Sequence, residues 1–298
     1  MRNVTLLLND SASVTKDKSL REEILKTLGQ NGTRVDVRSA KQGANISDLA
    51  KSAVKSGAEV VIAGGGDGTV NAVASALIDS EAALGVLPMG TLNHFAKDLG
   101  IPLEPARAAD IISRGVVRKV DVGEVNGAIF VNNSSLGLYP MIVRGRERKQ
   151  RLGRSKWTAL FWSTLAALRR YPILTMELSL ADGKQFMRRT PLVFIGNNQY
   201  EIKGFEIGSR ERLDGGALFV YVAPKDGAGS LLRISVAALC GIVHPGIDFD
   251  FLSTEKLLVG APGQTIQVAI DGEVKNMAPP LLYRIRPSSL KVIAPATR

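Results

Sequence analysis

Cysteine, histidine and aromatic residues are scarce in this chain. Its 298 residues include one Cys, two His and 5% aromatics. With Cys240 alone, no intrachain disulfide can form, and nothing demands an oxidising compartment. Long hydrophobic runs are missing as well. No uninterrupted apolar stretch is long enough to span a bilayer, and the apolar run that opens the chain, Val4 to Leu8, is too short for a signal peptide. A cytoplasmic location is therefore expected. Internal repeats and low-complexity segments are absent, and the length favours two domains. Acids are outnumbered: 38 Lys/Arg stand against 28 Asp/Glu, for a net charge of +10. Residues 1–120 hold 15 cations and 13 acids, whereas residues 121–298 hold 23 and 15. A basic second part points to an anionic partner. Few aromatics and no nucleic-acid module motif leave the membrane surface favoured over nucleic acid.

What the chain does have is glycine in a telling place. Val60, Val61 and Ile62 read as a buried strand that runs into Gly64-Gly65-Gly66-Asp67-Gly68-Thr69. Val70, Val73, Ala74 and Leu77 then recur at helical spacing. Glycines between strand and helix let a ligand approach bare N–H groups, and a helix N-terminus beside them suits phosphate. Asp67 inside an anion cradle makes sense with a cation, so the pattern suggests a nucleotide with Mg²⁺. A plain structural turn would look similar. One helix later the pattern repeats: a strand at 85–87 leads to Pro88-Met89-Gly90-Thr91-Leu92-Asn93-His94-Phe95-Ala96.

Together the two turns resemble the diacylglycerol kinase catalytic-domain family, whose hallmarks are Gly-Gly-Gly-Asp-Gly-Thr followed by Pro-x-Gly-Thr-x-Asn-Asp-Phe-Ala. The family includes bacterial diacylglycerol and phosphatidylglycerol kinases and the sphingosine and ceramide kinases. The resemblance implies an N-terminal α/β nucleotide-binding domain like those of NAD kinases and phosphofructokinases. A C-terminal, mostly antiparallel β-sandwich domain would follow it. NAD kinase itself shares the first turn, but the second turn and the absence of its later motifs argue against it.

Taken in order, 2–8 reads as a first strand ending at Asn9. The polar turn Asn9-Asp10-Ser11-Ala12-Ser13 is a further candidate phosphate contact, although the proline and glycine of the family's pattern are missing and an ordinary loop would read the same. Ser19 and Glu22 fit a capping box for a helix over 20–28. A strand at 33–37, helices at 46–54 and 105–113, and the strands before the two turns continue an alternation typical of a sheet covered by helices. After residue 125 the texture changes. Segments 128–131, 173–180, 191–195, 217–222, 257–259 and 264–270 read as strands, and 283–292 alternates again. The expected domains are residues 1–124, with a return at 283–298, and residues 125–282.

A kinase must hold a triphosphate, offset its charge and accept a proton from the acceptor hydroxyl. The residues expected at the nucleotide are Asn9, Gly65, Gly66, Asp67, Gly68, Thr69, Gly90, Thr91 and Asn93, although Asn93 would equally suit a helix cap. The resemblance implies Mg²⁺ at Asp67 and Asp121, and a structural Mg²⁺ at Asp214 of the turn Leu213-Asp214-Gly215-Gly216. His94 stands where the family's pattern has an acid, and imidazole is a poor ligand for Mg²⁺. In Asp271-Gly272-Glu273 the resemblance implies Asp271 as general base and Glu273 as its acidic partner, whereas spacing alone suggests a type I′ hairpin. His244 reads as structural.

From Arg144 to Lys156 the chain carries seven cations and one acid, and Trp157, Phe161 and Trp162 follow. Cations beside interfacial aromatics suit an anionic bilayer. A charged loop before a core helix is the plainer alternative. The expected activity is Mg²⁺-dependent transfer of the ATP γ-phosphate to a lipid hydroxyl, of a diacylglycerol-like lipid or a long-chain base. Peripheral attachment at the inner membrane surface would accompany it, no nucleic acid would be involved, and a homodimer stays open. The rival is a nucleotide- or lipid-binding protein with impaired catalysis.

Overall fold

The computed structural model describes residues 3–9, 17–40, 45–137, 173–203, 206–223 and 250–296. They divide into two units, Met1–Val122 with Pro287–Arg298, and Gly123–Arg286.

The first unit alternates strand and helix: β1 (Asn3–Asn9), α1 (Lys18–Leu28), β2 (Arg34–Ala40), α2 (Ile46–Lys55), β3 (Val60–Gly65), α3 (Asp67–Leu77), β4 (Ala83–Pro88), α4 (His94–Asp98), α5 (Pro105–Arg114) and β5 (Val116–Val125), the last leading out of the unit. The strands pair in parallel in the order β2-β1-β3-β4. Every residue of β3 and of β4 is buried, as in strands covered on both faces. α1 packs on α5 and α2 on α3. Right-handed crossovers put these two pairs on opposite faces. Local chemistry sets the helix starts. Asp17 accepts from the Leu20 N–H at 3.2 Å, so it caps α1 in place of the expected Ser19. Asn45 caps α2 through the Ser47 N–H at 3.0 Å.

The second unit is all strands among its described residues. Gly123 to Val125 at the end of β5 pair with β6 (Ala128–Phe130) across Asn126-Gly127, both at positive φ. There follow β7 (Asn133–Gly137), β8 (Leu174–Leu180), β9 (Gln185–Thr190), β10 (Leu192–Asn197), β11 (Glu201–Lys203), β12 (Glu206–Ser209), β13 (Leu218–Val222), β14 (Asp250–Thr254), β15 (Lys256–Gly260), β16 (Ile266–Ile270), β17 (Glu273–Met277) and β18 (Leu281–Ala294). One sheet runs β14-β13-β10-β7-β16-β17, antiparallel throughout. In the other, β9, β8, β15 and the first residues of β18 pair antiparallel. Leu136, Val193, Val220 and Val268 from the first sheet meet Met176, Leu178, Val259 and Tyr283 from the second in one buried core. Two inner faces that share a core make a β-sandwich. The far end of β18 belongs to the first unit, where Val292 pairs in parallel with Leu84 of β4.

Six strands of the second unit, β7, β9, β11, β12, β14 and β17, are missing from the sequence reading. β7 shows why. Its Ser134 and Ser135 are fully buried, so polar residues occupy positions where a strand pattern calls for apolar ones.

Candidate active site

Ligands of open α/β sheets bind at the carboxyl ends of the strands, where the strand order reverses. In this sheet the reversal falls between β1 and β3, because β2 lies on one side of β1 and β3 on the other. Asn9 ends β1 and Gly65 ends β3, and the Asn9 amide Nδ2 donates to the Thr69 hydroxyl at 3.3 Å across that crevice. Thr69 is buried and its hydroxyl closes on this side, whereas Gly68 and Thr91 are exposed. α3 begins at Asp67, and the N–H groups of its first turn have no partner within the helix. With the helix dipole they form an anion cradle.

The second turn is pressed against the first. Gly65 pairs with Pro88 in the β3–β4 register, and the Met89 N–H donates to the Gly65 carbonyl at 3.0 Å. A Cβ on Gly90 would lie 2.5 Å from the Gly66 Cα, so two backbones touch and only glycine fits. A Cβ on Gly65 would lie 2.4 Å from the Thr69 hydroxyl oxygen. Asn93 has φ 51° and closes its turn on itself: Oδ1 accepts the Gly90 N–H and Nδ2 donates to the Gly90 carbonyl, both at 2.9 Å. Its amide is therefore spent on the turn, and Asn93 stands at the N-cap position of α4 without a side-chain bond to that helix. Asn71, one turn into α3, is buried with its Oδ1 unpartnered, a feature that the sequence reading passes over.

The acids expected at metal differ in their surroundings. Asp67 is partly exposed at the start of α3. Asp121 is 1% exposed, and its Oδ1 accepts the Ser288 N–H of β18 at 2.8 Å, so it ties the returning strand inside the first unit. Asp214 is exposed and pairs with the Arg212 Nε at 3.1 Å. Among the described residues no three His, Cys, Asp or Glu side chains cluster to hold a metal. A Mg²⁺ that arrives on a nucleotide needs only one or two carboxylates besides phosphate oxygens and water, and Asp67 suits that. His94 opens α4.

In the second unit, Asp271 and Gly272 join β16 to β17 with φ 44° and 84°. That is the type I′ hairpin, and it carries a carboxylate with unusual company. Asp271 Oδ2 accepts the Val131 N–H at 2.8 Å, and Oδ1 accepts those of Asn132 and Asn133 at 2.9 Å each. Burial pushes its pKa from 3.8 up to about 6, against the opposing pull of these three N–H groups and of the Arg210 charge. Glu273 is exposed at the first position of β17. Around Asp271 lies a buried polar group that the sequence reading misses: Asn132, Ser134, Ser135, Asn197, Asn198 and Arg210. No motif signals it, because its members come from separate segments of the chain.

The basic run from Arg144 to Lys156, Trp157, Trp162, the polar turn 10–13, Cys240 and His244 lie outside the described residues. No helix among the described residues is long and apolar enough to cross a membrane.

Residues 3–125 match the family model for the diacylglycerol kinase catalytic domain. A "Diacylglycerol kinase" of Bacillus subtilis is 27% identical over 94% of this chain and 92% of its own. A "Probable lipid kinase YegS-like" protein of Pseudomonas aeruginosa is 30% identical over 89% of this chain and 86% of its own. In fold, the chain is similar to a crystal structure of a diacylglycerol kinase from Bacillus anthracis, with TM-score 0.72, 19% identity and coverage of 98% and 97%. The yeast NADH kinase fold is more distant, with TM-score 0.53 and 11% identity over 99% of this chain and 83% of that one.

Proposed function

Since the chain belongs to the diacylglycerol kinase catalytic-domain family and is an ATP-dependent lipid kinase, we propose that it moves the γ-phosphoryl of Mg²⁺-ATP to the hydroxyl of a diacylglycerol-like lipid or long-chain base. The observation that carries this reading is the pair of glycine turns locked backbone to backbone at the strand ends of the first unit, Gly66 against Gly90. Such contact leaves no room for a side chain between the two turns.

The first turn of α3 and the exposed Thr91 hold the phosphates, and Asn9 with Thr69 fixes the wall of the crevice. Asn93 keeps the second turn closed. Mg²⁺, when present with the nucleotide beside Asp67, supplies charge to offset the phosphate oxygens. Asp271 accepts the proton of the acceptor hydroxyl as that oxygen bonds to the γ-phosphorus. The bond from phosphorus to the β–γ bridging oxygen breaks, and ADP leaves with the electron pair. Its raised pKa suits a base that must be ionised near neutrality and still hold a proton. Exposed Glu273 adds negative charge to the same hairpin. Docking on an anionic bilayer is assigned to the cations from Arg144 to Lys156 with Trp157 and Trp162, each cation contributing about 1 kcal/mol near such a surface.

The test is transfer of labelled γ-phosphate from ATP to a panel of lipids in anionic mixed micelles, beside an Asp271→Asn variant. A labelled lipid that disappears with the variant is expected. ATP binding with no labelled lipid would refute the reading in favour of an impaired binding protein.

A further inference from the structure

Arg210 is the bulkiest fully buried side chain among the described residues, 1% exposed. A guanidinium taken out of water is costly unless its donors are matched, so its partners are informative. Its donors go to one place. Nη1 donates to the Val131 carbonyl at 2.7 Å and the Asn197 carbonyl at 3.0 Å, and Nη2 to the Asn132 Oδ1 at 2.9 Å. The guanidinium carbon sits 5.4 Å from the centre of the Tyr200 ring. Asn197 Nδ2 reinforces the same spot by donating to the Val131 carbonyl at 2.9 Å.

Val131 and Asn132 are also the residues whose N–H groups, with that of Asn133, hold the Asp271 carboxylate. The cation thus grips the acceptor atoms of a short segment while the anion takes its donors. We propose that Arg210 is a positioning residue for the reaction: it locks residues 131–133 so that their N–H groups aim at Asp271, and it sets a positive charge behind them. This rests on Asp271 being the proton acceptor.

Arg210 comes from the segment before β13, and among the charged side chains it is the one that pulls the Asp271 pKa down. Tyr200, from the turn after β10, has its hydroxyl 3.4 Å from the Asn133 Nδ2, and exposed Glu273 opens the strand that follows Asp271 and Gly272. Backbone donors alone would hold the carboxylate, but an unbraced three-residue segment would share its donors with water.

The experiment uses the full chain with Arg210→Gln and Arg210→Lys. It follows kcat and the ATP KM against pH, together with the ¹³C NMR titration of the Asp271 carboxylate. For Arg210→Gln, the carboxylate midpoint and the acid limb of kcat should rise together by about half a pH unit or more, at an unchanged ATP KM. Arg210→Lys keeps the charge but loses the planar fork, so its midpoint should stay near wild type while kcat falls about tenfold. A folded Arg210→Gln with wild-type midpoint and kcat overturns the proposal. So does an activity loss that is equal at every pH with the midpoint unmoved, since that marks a role in packing only. If Arg210→Gln does not fold, wild-type kcat in Arg210→Lys overturns it and lower kcat at unchanged KM supports it. A midpoint that moves while the activity limb stays overturns the reading of Asp271 as base, and leaves the hold of Arg210 on the carboxylate established.

Discussion

Replacing Gly90 with alanine tests the nucleotide cradle at its tightest point. The added methyl carbon would stand 2.5 Å from the Gly66 Cα and 2.9 Å from the Asn93 Oδ1. Carbon atoms in contact prefer roughly 3.5–4.0 Å, so the two turns must separate by about 1 Å. Neither neighbour can swing away. One is main chain, and the other is an amide held at both ends by Gly90 itself. Overpacking of this kind costs about 1–3 kcal/mol. A displacement of about 1 Å in groups that position a substrate costs about 100-fold in rate. Gly90→Ala should therefore stay folded, with ATP affinity lowered by about 10- to 100-fold in calorimetry and a comparable fall in kcat/KM. Gly100→Ala is the control. Gly100 has φ +71°, and a methyl group added there would meet nothing within 4 Å. It should lose about 1 kcal/mol of stability to the left-handed backbone and no ATP affinity. A folded Gly90→Ala that binds ATP like wild type would refute the idea that the two turns make one cradle.

Two other outcomes follow from the second unit. The Asp271 pKa rises from 3.8 unfolded to about 6 folded, so its protonated form favours the native state below pH 4 and that contribution disappears as pH climbs through 6. Wild type should lose about 2 kcal/mol relative to Asp271→Asn between pH 4 and 7 in urea unfolding, and a difference constant with pH would refute this. Glu124 is buried and takes two bonds of 3.0 Å from Arg284 and one of 3.3 Å from Arg286. Water reaches Arg284, so Glu124→Gln should cost about 1–2 kcal/mol rather than the full penalty of a buried pair, again read from urea unfolding. No loss would show that the cluster is idle.

Much of the first unit is legible in the chain itself. Val60 to Ile62 and the run before Pro88 are continuous apolar strands because helices cover both faces, and the glycines that follow mark turns where backbones meet. Periodicity and turn chemistry are local, so they survive in one dimension. The second unit is legible only where strands are rich in β-branched and aromatic residues, as in 218–222. The serines of β7 are hidden because their burial depends on partners over a hundred residues away: Ser134 donates to the Ala269 carbonyl at 2.9 Å and meets the Tyr283 hydroxyl at 3.1 Å.

The same division runs through the functional residues. Asn9, Gly65, Gly66, Thr69 and Gly90, the proposed phosphate cradle, can be picked out by sequence because such cradles are built from short contiguous turns. What each acid does is decided by its neighbours in space. Asp121 is singled out in sequence only by the resemblance, and the tertiary structure buries it against the Ser288 N–H. Asp271 reads as a hairpin residue by spacing and as a base by resemblance, and only the fold brings three backbone donors to its carboxylate. Arg210 carries no motif at all, because its meaning lies in Val131, Asn132 and Asn197, which reach it only when the sandwich closes. Local backbone geometry is written in adjacent residues, whereas the charge state and aim of a buried side chain depend on desolvation and on partners distant in the chain.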